Sequence, residues 1–134
     1  MTSEVVYKGG LRTECKHLRS GSVIITDAPV DNHGKGESFS PTDLVATSLA
    51  SCILTIIGIM AERKEIDIEG ARAEVEKVMA SDPRRISDIK IKIQMPAKSY
   101  TEQEKKLIEK TAAQCPVGNS IHPDLNQELE IIWA

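Results

Sequence analysis

The stretch SPTDLVATSLASCILTIIGIMAERK, residues 40–64, decides the fold. It opens with helix-start chemistry. Ser40 is suited to cap the first turn, Pro41 has the fixed φ that favours the first helical position, and Asp43 sets negative charge against the helix N-terminus. From Leu44 to Ala61 no residue is charged. A run of that length raises the question of a membrane span. Thr47, Ser48, Ser51, Thr55 and Gly58 interrupt it, however, and Asp43 and Glu62 flank it. A helix that is apolar nearly all round is a central, buried helix. In a chain of 134 residues its complete burial calls for a second copy, so a homodimer is expected and a membrane is not.

Outward from this helix the pattern changes period. Towards the N-terminus, Val5 and Tyr7 alternate with polar neighbours, Gly9-Gly10 makes a bend, and Ser22-Val-Ile-Ile-Thr26 is a β-prone run. Asp27 to Phe39 is a loop rich in Gly, Asp, Asn and Pro. On the C-terminal side, Ala71, Ala73 and Val75 alternate with charged residues, and Ile89, Ile91, Ile93 and Met95 with polar ones. Two half-buried strands turned around Asp82-Pro83 follow. Thr101-Glu-Gln-Glu104 is a capping box opening a second helix, whose stripe is Leu107, Ile108, Thr111, Ala112 and Cys115. Pro116 stops that helix at Cys115. Gly118 to Pro123 reads as a turn or a short helical piece, and Leu129, Ile131 and Trp133 as a last strand. The expected class is α+β with a mainly antiparallel sheet, in one domain spanning residues 1–134.

Composition excludes several functions. The net charge of −3 gives no electrostatic reason to bind nucleic acid, and four aromatic residues cannot build a base-stacking platform. The first residues lack the basic and apolar segments of a secretion signal, so a cytoplasmic, reducing setting is expected. There, three cysteines are not a disulfide framework. No Cys-x-x-Cys occurs and the three histidines are scattered, so no metal site and no cofactor are expected.

The chemistry therefore turns on the cysteines. Cys52 lies mid-helix, where position alone reads as a small apolar filler and denies it the dipole of a helix N-terminus. Its activation needs a cation from elsewhere in the chain. Cys115 ends a helix before Pro-Val-Gly, where a thiol has room to move. Cys15, among Glu14, Lys16 and His17, is assigned no role.

Two motifs change the weight of these positions. Ser40-Pro-Thr-Asp-Leu-Val-Ala-Thr-Ser-Leu-Ala-Ser-Cys52 resembles the signature of the OsmC/Ohr superfamily: a Pro, an acidic residue, Leu, a run of small residues and a helix-borne Cys. Ala113-Gln-Cys115-Pro-Val-Gly-Asn-Ser resembles that family's second motif. The resemblance implies mainly antiparallel sheets packed around two long helices, in an intertwined homodimer. It also implies a thiol-dependent peroxidase acting on organic hydroperoxides, with Cys52 reactive and Cys115 resolving. The family's active-site arginine, from a Gly-Gly-Arg setting in the Ohr branch, falls on Arg12 in Gly9-Gly10-Leu11-Arg12, with Arg19 as the alternative. One position departs. The Ohr branch places Glu directly after the Pro; here Thr42 stands there and the carboxylate follows at Asp43. One step turns a helical side chain by about 100°. Asp43 either reaches the arginine or only caps the helix, and Glu37 is another candidate. The chain thus resembles a divergent OsmC-like branch.

On this reading Cys52 becomes a sulfenic acid, Cys115 closes a disulfide, and an external dithiol reduces it. Leu49, Ile53, Ile56, Ile57, Met60 and Phe39 offer the apolar surface that favours alkyl hydroperoxides. The alternative is a non-catalytic domain that binds an apolar small molecule at the dimer cleft.

Overall fold

A computed structural model describes all 134 residues. The chain divides into two compact units, Met1–Val45 and Ala46–Ala134, and the long helix crosses the boundary.

In the first unit, β1 (Ser3–Gly9), β2 (Arg12–His17) and β3 (Val23–Asp27) form an antiparallel meander in that order. Val5, Cys15 and Ile24 fall in one cross-strand row. The row is not covered: Val5 is 60% exposed and Ile24 49%. Tyr7, further along β1, is exposed as well. The buried side chains of this unit are polar, namely Thr26, Asp27 and Ser40. Beyond β3 the chain makes a 3-10 turn over Val30–Asn32 and folds back on itself. Gly36 N donates to Ala28 O (3.2 Å). Gly34 runs so close to the Ala28 backbone that a Cβ there would sit 1.7 Å from the carbonyl oxygen, so only glycine fits.

The long helix α1 spans Pro41–Arg63, with the start and nearly the end that residues 40–64 imply. Its buried residues, Ala46, Leu49, Ala50, Ile53, Ile57 and Ala61, recur at three- and four-residue spacing. Burial within one chain is thus one-sided. Ser51, Thr55 and Ile59 face solvent, and Thr55 returns its hydroxyl to Ser51 O (2.8 Å). By length and composition alone α1 could cross a membrane, but its buried stripe enters the core of the second unit.

That core is built on a second sheet. β4 (Arg72–Ala80) pairs antiparallel with β5 (Arg85–Gln94), and β6 (Asn126–Ile132) lies on the other side of β5. Ile89, Ile91 and Ile93 of β5 point inward, with Met95 just beyond, and pack with Leu49, Ile53 and Ile57 of α1 and with Ile108 and Ala112 of α2 (Glu102–Ala112). The opposite face is charged. Glu74–Lys92–Glu130 and Glu76–Lys90–Glu128 form two rows across the three strands.

Two details differ from the sequence reading. β6 runs parallel to β5, because α2 and α3 (Pro116–Ser120) form a crossover that returns the chain to the same end of the sheet. The other three strand pairs are antiparallel, so the α+β class holds. The second helix stops at Ala112, three residues early. Pro116 disfavours helical geometry at the residue before it, and Cys115 is accordingly extended (φ −67°, ψ 123°). The piece after Pro116 is a short helix. The capping box is complete: Glu104 N donates to Thr101 Oγ1 (3.1 Å), and Thr101 N to Glu104 Oε1 (2.8 Å).

Candidate active site

Each unit contributes one cluster of reactive or charged groups. In the second unit the cluster is a thiol pair. Cys52 sits mid-way along α1, half-buried against the core. Cys115 is buried at the N-cap of α3. Its Sγ accepts from Gly118 N (3.4 Å) and donates to Leu49 O (3.9 Å), one helical turn before Cys52. The two cysteines are joined by a side-chain hydrogen bond. Burial pushes the Cys115 thiol above its usual range, the bond to Cys52 pushes it further, and the amides of Gly118 and Val117 oppose the shift. Cys115 is thereby held as a neutral S–H. Pro116 is what makes this geometry: it ends α2 early, and the extended Cys115 then turns its sulfur back onto the first amides of α3.

In the first unit the cluster is centred on Arg12, at the start of β2. Its guanidinium grips Asp27 with two parallel bonds, Nε to Oδ1 (2.7 Å) and Nη2 to Oδ2 (2.9 Å), and Nη2 also reaches Glu37 (3.2 Å). Arg12 and Asp27 are register partners across β2 and β3, so the sheet itself sets them opposite each other. The carboxylate of Asp27 is buried, whereas Glu37 is exposed. The folded-back loop completes the arrangement, because Glu37 N donates to Asp27 Oδ2 (3.2 Å). The hydrogen bonds from Arg12 hold the Asp27 carboxyl below its ordinary range, against the effect of burial. The same bonds, with the charge of Asp27, hold Arg12 firmly cationic.

Asp43 takes up the capping task, one of the two that the sequence left open for it. Its Oδ2 accepts from Ser40 N (3.0 Å) while its own N–H donates to Ser40 Oγ (3.1 Å), a reciprocal cap on α1. Thr42 bonds the Ser40 hydroxyl (3.2 Å). The carboxylates on the arginine are Asp27 and Glu37. Glu37 was a candidate from the sequence; Asp27 was not. Its only signal was its place as the last residue of a β-prone run, opposite Arg12 if the two strands pair. Arg19 is exposed in the turn between β2 and β3.

The apolar residues expected to meet substrate separate. Leu49 is buried and lines a cavity of about 320 Å³ together with Cys115. Ile56 is half-buried against the core. Phe39 is exposed and lines an open groove in the first unit with Ile24, Ile25, Glu37 and Asp43. No three His, Cys, Asp or Glu side chains converge as metal ligands.

Residues 34–130 match the model of a family described as OsmC-like protein. No curated protein matches the chain. Among solved structures, a Psychrobacter arcticus protein assigned to the osmotic stress and detoxification response is 57% identical. The match covers 98% of this chain and 96% of that one, with a TM-score of 0.94. An organic hydroperoxide resistance protein OsmC from Legionella pneumophila shares the fold at 18% identity (TM-score 0.75, 98% and 96% covered). So does an organic hydroperoxide resistance protein from Elizabethkingia anophelis at 16% identity (TM-score 0.76, 100% and 97% covered). The family match runs through both cysteine motifs, from before α1 into β6, and the chain belongs to the OsmC-like protein family.

Proposed function

We propose that this protein is a thiol peroxidase that reduces organic hydroperoxides, with Cys52 as the attacking sulfur and Cys115 as the resolving one. The observation that carries the proposal is the contact between the two thiols, Cys115 Sγ lying against Leu49 O (3.9 Å), one helical turn before Cys52, with Cys52 beside it. A resolving cysteine needs that proximity; it gives up its proton as it attacks the sulfur beside it.

The steps balance as follows. The Cys52 thiolate attacks the distal peroxide oxygen, the O–O bond breaks, and the alkoxide leaves and is protonated to the alcohol. Cys52 is now a sulfenic acid, oxidised by two electrons. The Cys115 sulfur attacks it, water leaves, and a disulfide forms. An external dithiol reduces this disulfide by exchange. Arg12 is the proposed cation for the Cys52 thiolate and the departing alkoxide, as the resemblance implies. The clamp by Asp27 and Glu37 supports that role, since it fixes the guanidinium in one orientation before any substrate arrives. The uncovered Val5–Cys15–Ile24 row and the exposed residues of α1 support a working unit of two copies.

The purified protein should consume cumene or tert-butyl hydroperoxide with a dithiol present, and Cys52→Ser should abolish turnover. Equal inactivity of wild type and variant, with both thiols still free after peroxide, overturns the proposal in favour of a binding domain. Size-exclusion chromatography with light scattering should report a dimer.

A further inference from the structure

The last strand carries a polar residue at a position that its neighbours use for packing. On β6, Gln127, Leu129 and Ile131 are the register partners of Ile89, Ile91 and Ile93, the buried isoleucines of β5. Strand alternation puts all three on the inner face of the sheet. Leu129 and Ile131 keep that face apolar; Gln127 does not. It lines the cavity of about 320 Å³ that Leu49, Gly118 and Cys115 also line. There Gln127 Nε2 donates to Gly118 O (3.0 Å).

Gly118 is the residue whose amide meets the second sulfur, since Gly118 N donates to Cys115 Sγ (3.4 Å). α3 has only five residues, too few to hold that amide in place by itself. The helix ends at Ser120 and the chain is extended at Ile121 (φ −84°, ψ 162°). The Gly118 carbonyl therefore belongs to the last turn, whose oxygens lack partners within the helix. Gln127 supplies one from the sheet. The approach is close: a Cβ on Gly118 would lie 2.9 Å from Gln127 Oε1 and 3.5 Å from Leu49 Cδ1, so α3 is seated against both β6 and α1 at this residue.

We propose that Gln127 is a positioning residue for the resolving step: by holding Gly118 it keeps the α3 amides on Cys115 Sγ while that sulfur attacks. The resolving role rests on the peroxidase reading above; the hold on Cys115 does not. In the attack Cys115 gives up its proton, its sulfur bonds to Cys52 Sγ, and the hydroxyl of the sulfenic acid leaves with that proton as water. The charge that builds on Cys115 has burial against it and the amides of Gly118 and Val117 in its favour. Donors already fixed in place favour that charge more than donors that must first be brought there. The other ionisable groups near Cys115 are Cys52, on α1, and Glu128, which lines the cavity from β6.

Gln127→Met keeps the length of the side chain and removes its donor. The first test uses a Cys52→Ser background, which takes Cys52 out of the titration and leaves Glu128 common to the proteins compared. Alkylation of Cys115 by iodoacetamide is followed against pH by peptide mass spectrometry, which separates it from Cys15. Loss of one hydrogen bond should raise the midpoint by about 0.7 pH unit, a factor of about five. An unchanged or lower midpoint overturns the proposal; a merely structural role would lower the melting temperature without moving it. The second test is a single turnover of Gln127→Met, with Cys52 present, against cumene hydroperoxide. The Cys52 sulfenic acid, trapped with dimedone, should form at the wild-type rate, and the disulfide should close about fivefold more slowly. Equal slowing of both steps, or unchanged closure, overturns the proposal. If the wild type yields no sulfenic acid, the peroxidase reading fails and takes the resolving role with it, while the alkylation profile still decides whether Gln127 governs Cys115.

Discussion

The two sheets have three strands each and treat their isoleucines in opposite ways. In β4–β6 the central strand hides Ile89, Ile91 and Ile93 almost completely. In β1–β3 the apolar residues Val5, Tyr7 and Ile24 lie open, and the buried side chain at the strand end is a carboxylate, Asp27. The difference shows what each sheet is for. The second is closed by α1 and α2 and carries the stability that a thiol pair in its core requires. The first is held by polar contacts, above all the Arg12–Asp27 clamp, and leaves its apolar row exposed.

The contrast can be broken from the strong side first. Ile89→Ala removes a fully buried side chain at the centre of the second sheet and should cost about 2–5 kcal/mol in a urea titration. Ile24→Ala, on the open sheet, should leave the stability of a single copy nearly unchanged and, if the proposed dimer forms through this row, weaken self-association instead. Equal losses for the two would erase the distinction.

The next effect is electrostatic. Asp27→Asn removes the charge that fixes Arg12, and the melting temperature should fall at neutral pH. Because the folded-state carboxyl titrates below its ordinary value of about 3.9, its stabilisation is present above that pH and is lost as the pH drops towards the depressed folded value. The gap between wild type and variant should therefore close below about pH 4. A gap that persists in acid would mean that shape, and not charge, holds the strand end.

The smallest effect belongs to Cys115. Its folded-state value is raised, so its contribution is intact below the ordinary thiol value of about 8.5 and is lost as the pH rises towards the folded value. Stability of the reduced protein should decline above that pH, and Cys115→Ala should flatten the decline. Cys52→Ala should weaken it, since the bond to Cys52 is part of the cause.

Local signals were the legible ones. The start of α1, the capping box at Thr101 and the alternation in β5 each depend on residues within a few positions of one another, and each formed as the sequence implies. What sequence could not display was pairing at a distance. The parallel placement of β6 depends on where a crossover of two helices delivers the chain. The Arg12–Asp27 clamp depends on the register of β2 against β3, so Asp27, fifteen residues from the arginine, was not legible, whereas Glu37 was already a candidate. Cys115 was legible as the residue before a proline; that the proline would turn its sulfur onto the amides of α3 was not.

The charge rows on the outer face of β4–β6 have a consequence for crowded solution. Lysines occupy the middle strand and glutamates both outer ones, at Glu74, Glu76, Glu128 and Glu130. Two molecules that meet through their β6 edges bring negative rows together, whereas on β4 Arg72 pairs with Glu74 (3.1 Å) and offsets the charge there. At physiological ionic strength the repulsion reaches about 8 Å, ahead of backbone hydrogen bonding at about 4.8 Å between strands. The protein thus carries its own guard against edge-to-edge pairing through β6, one that weakens in concentrated salt.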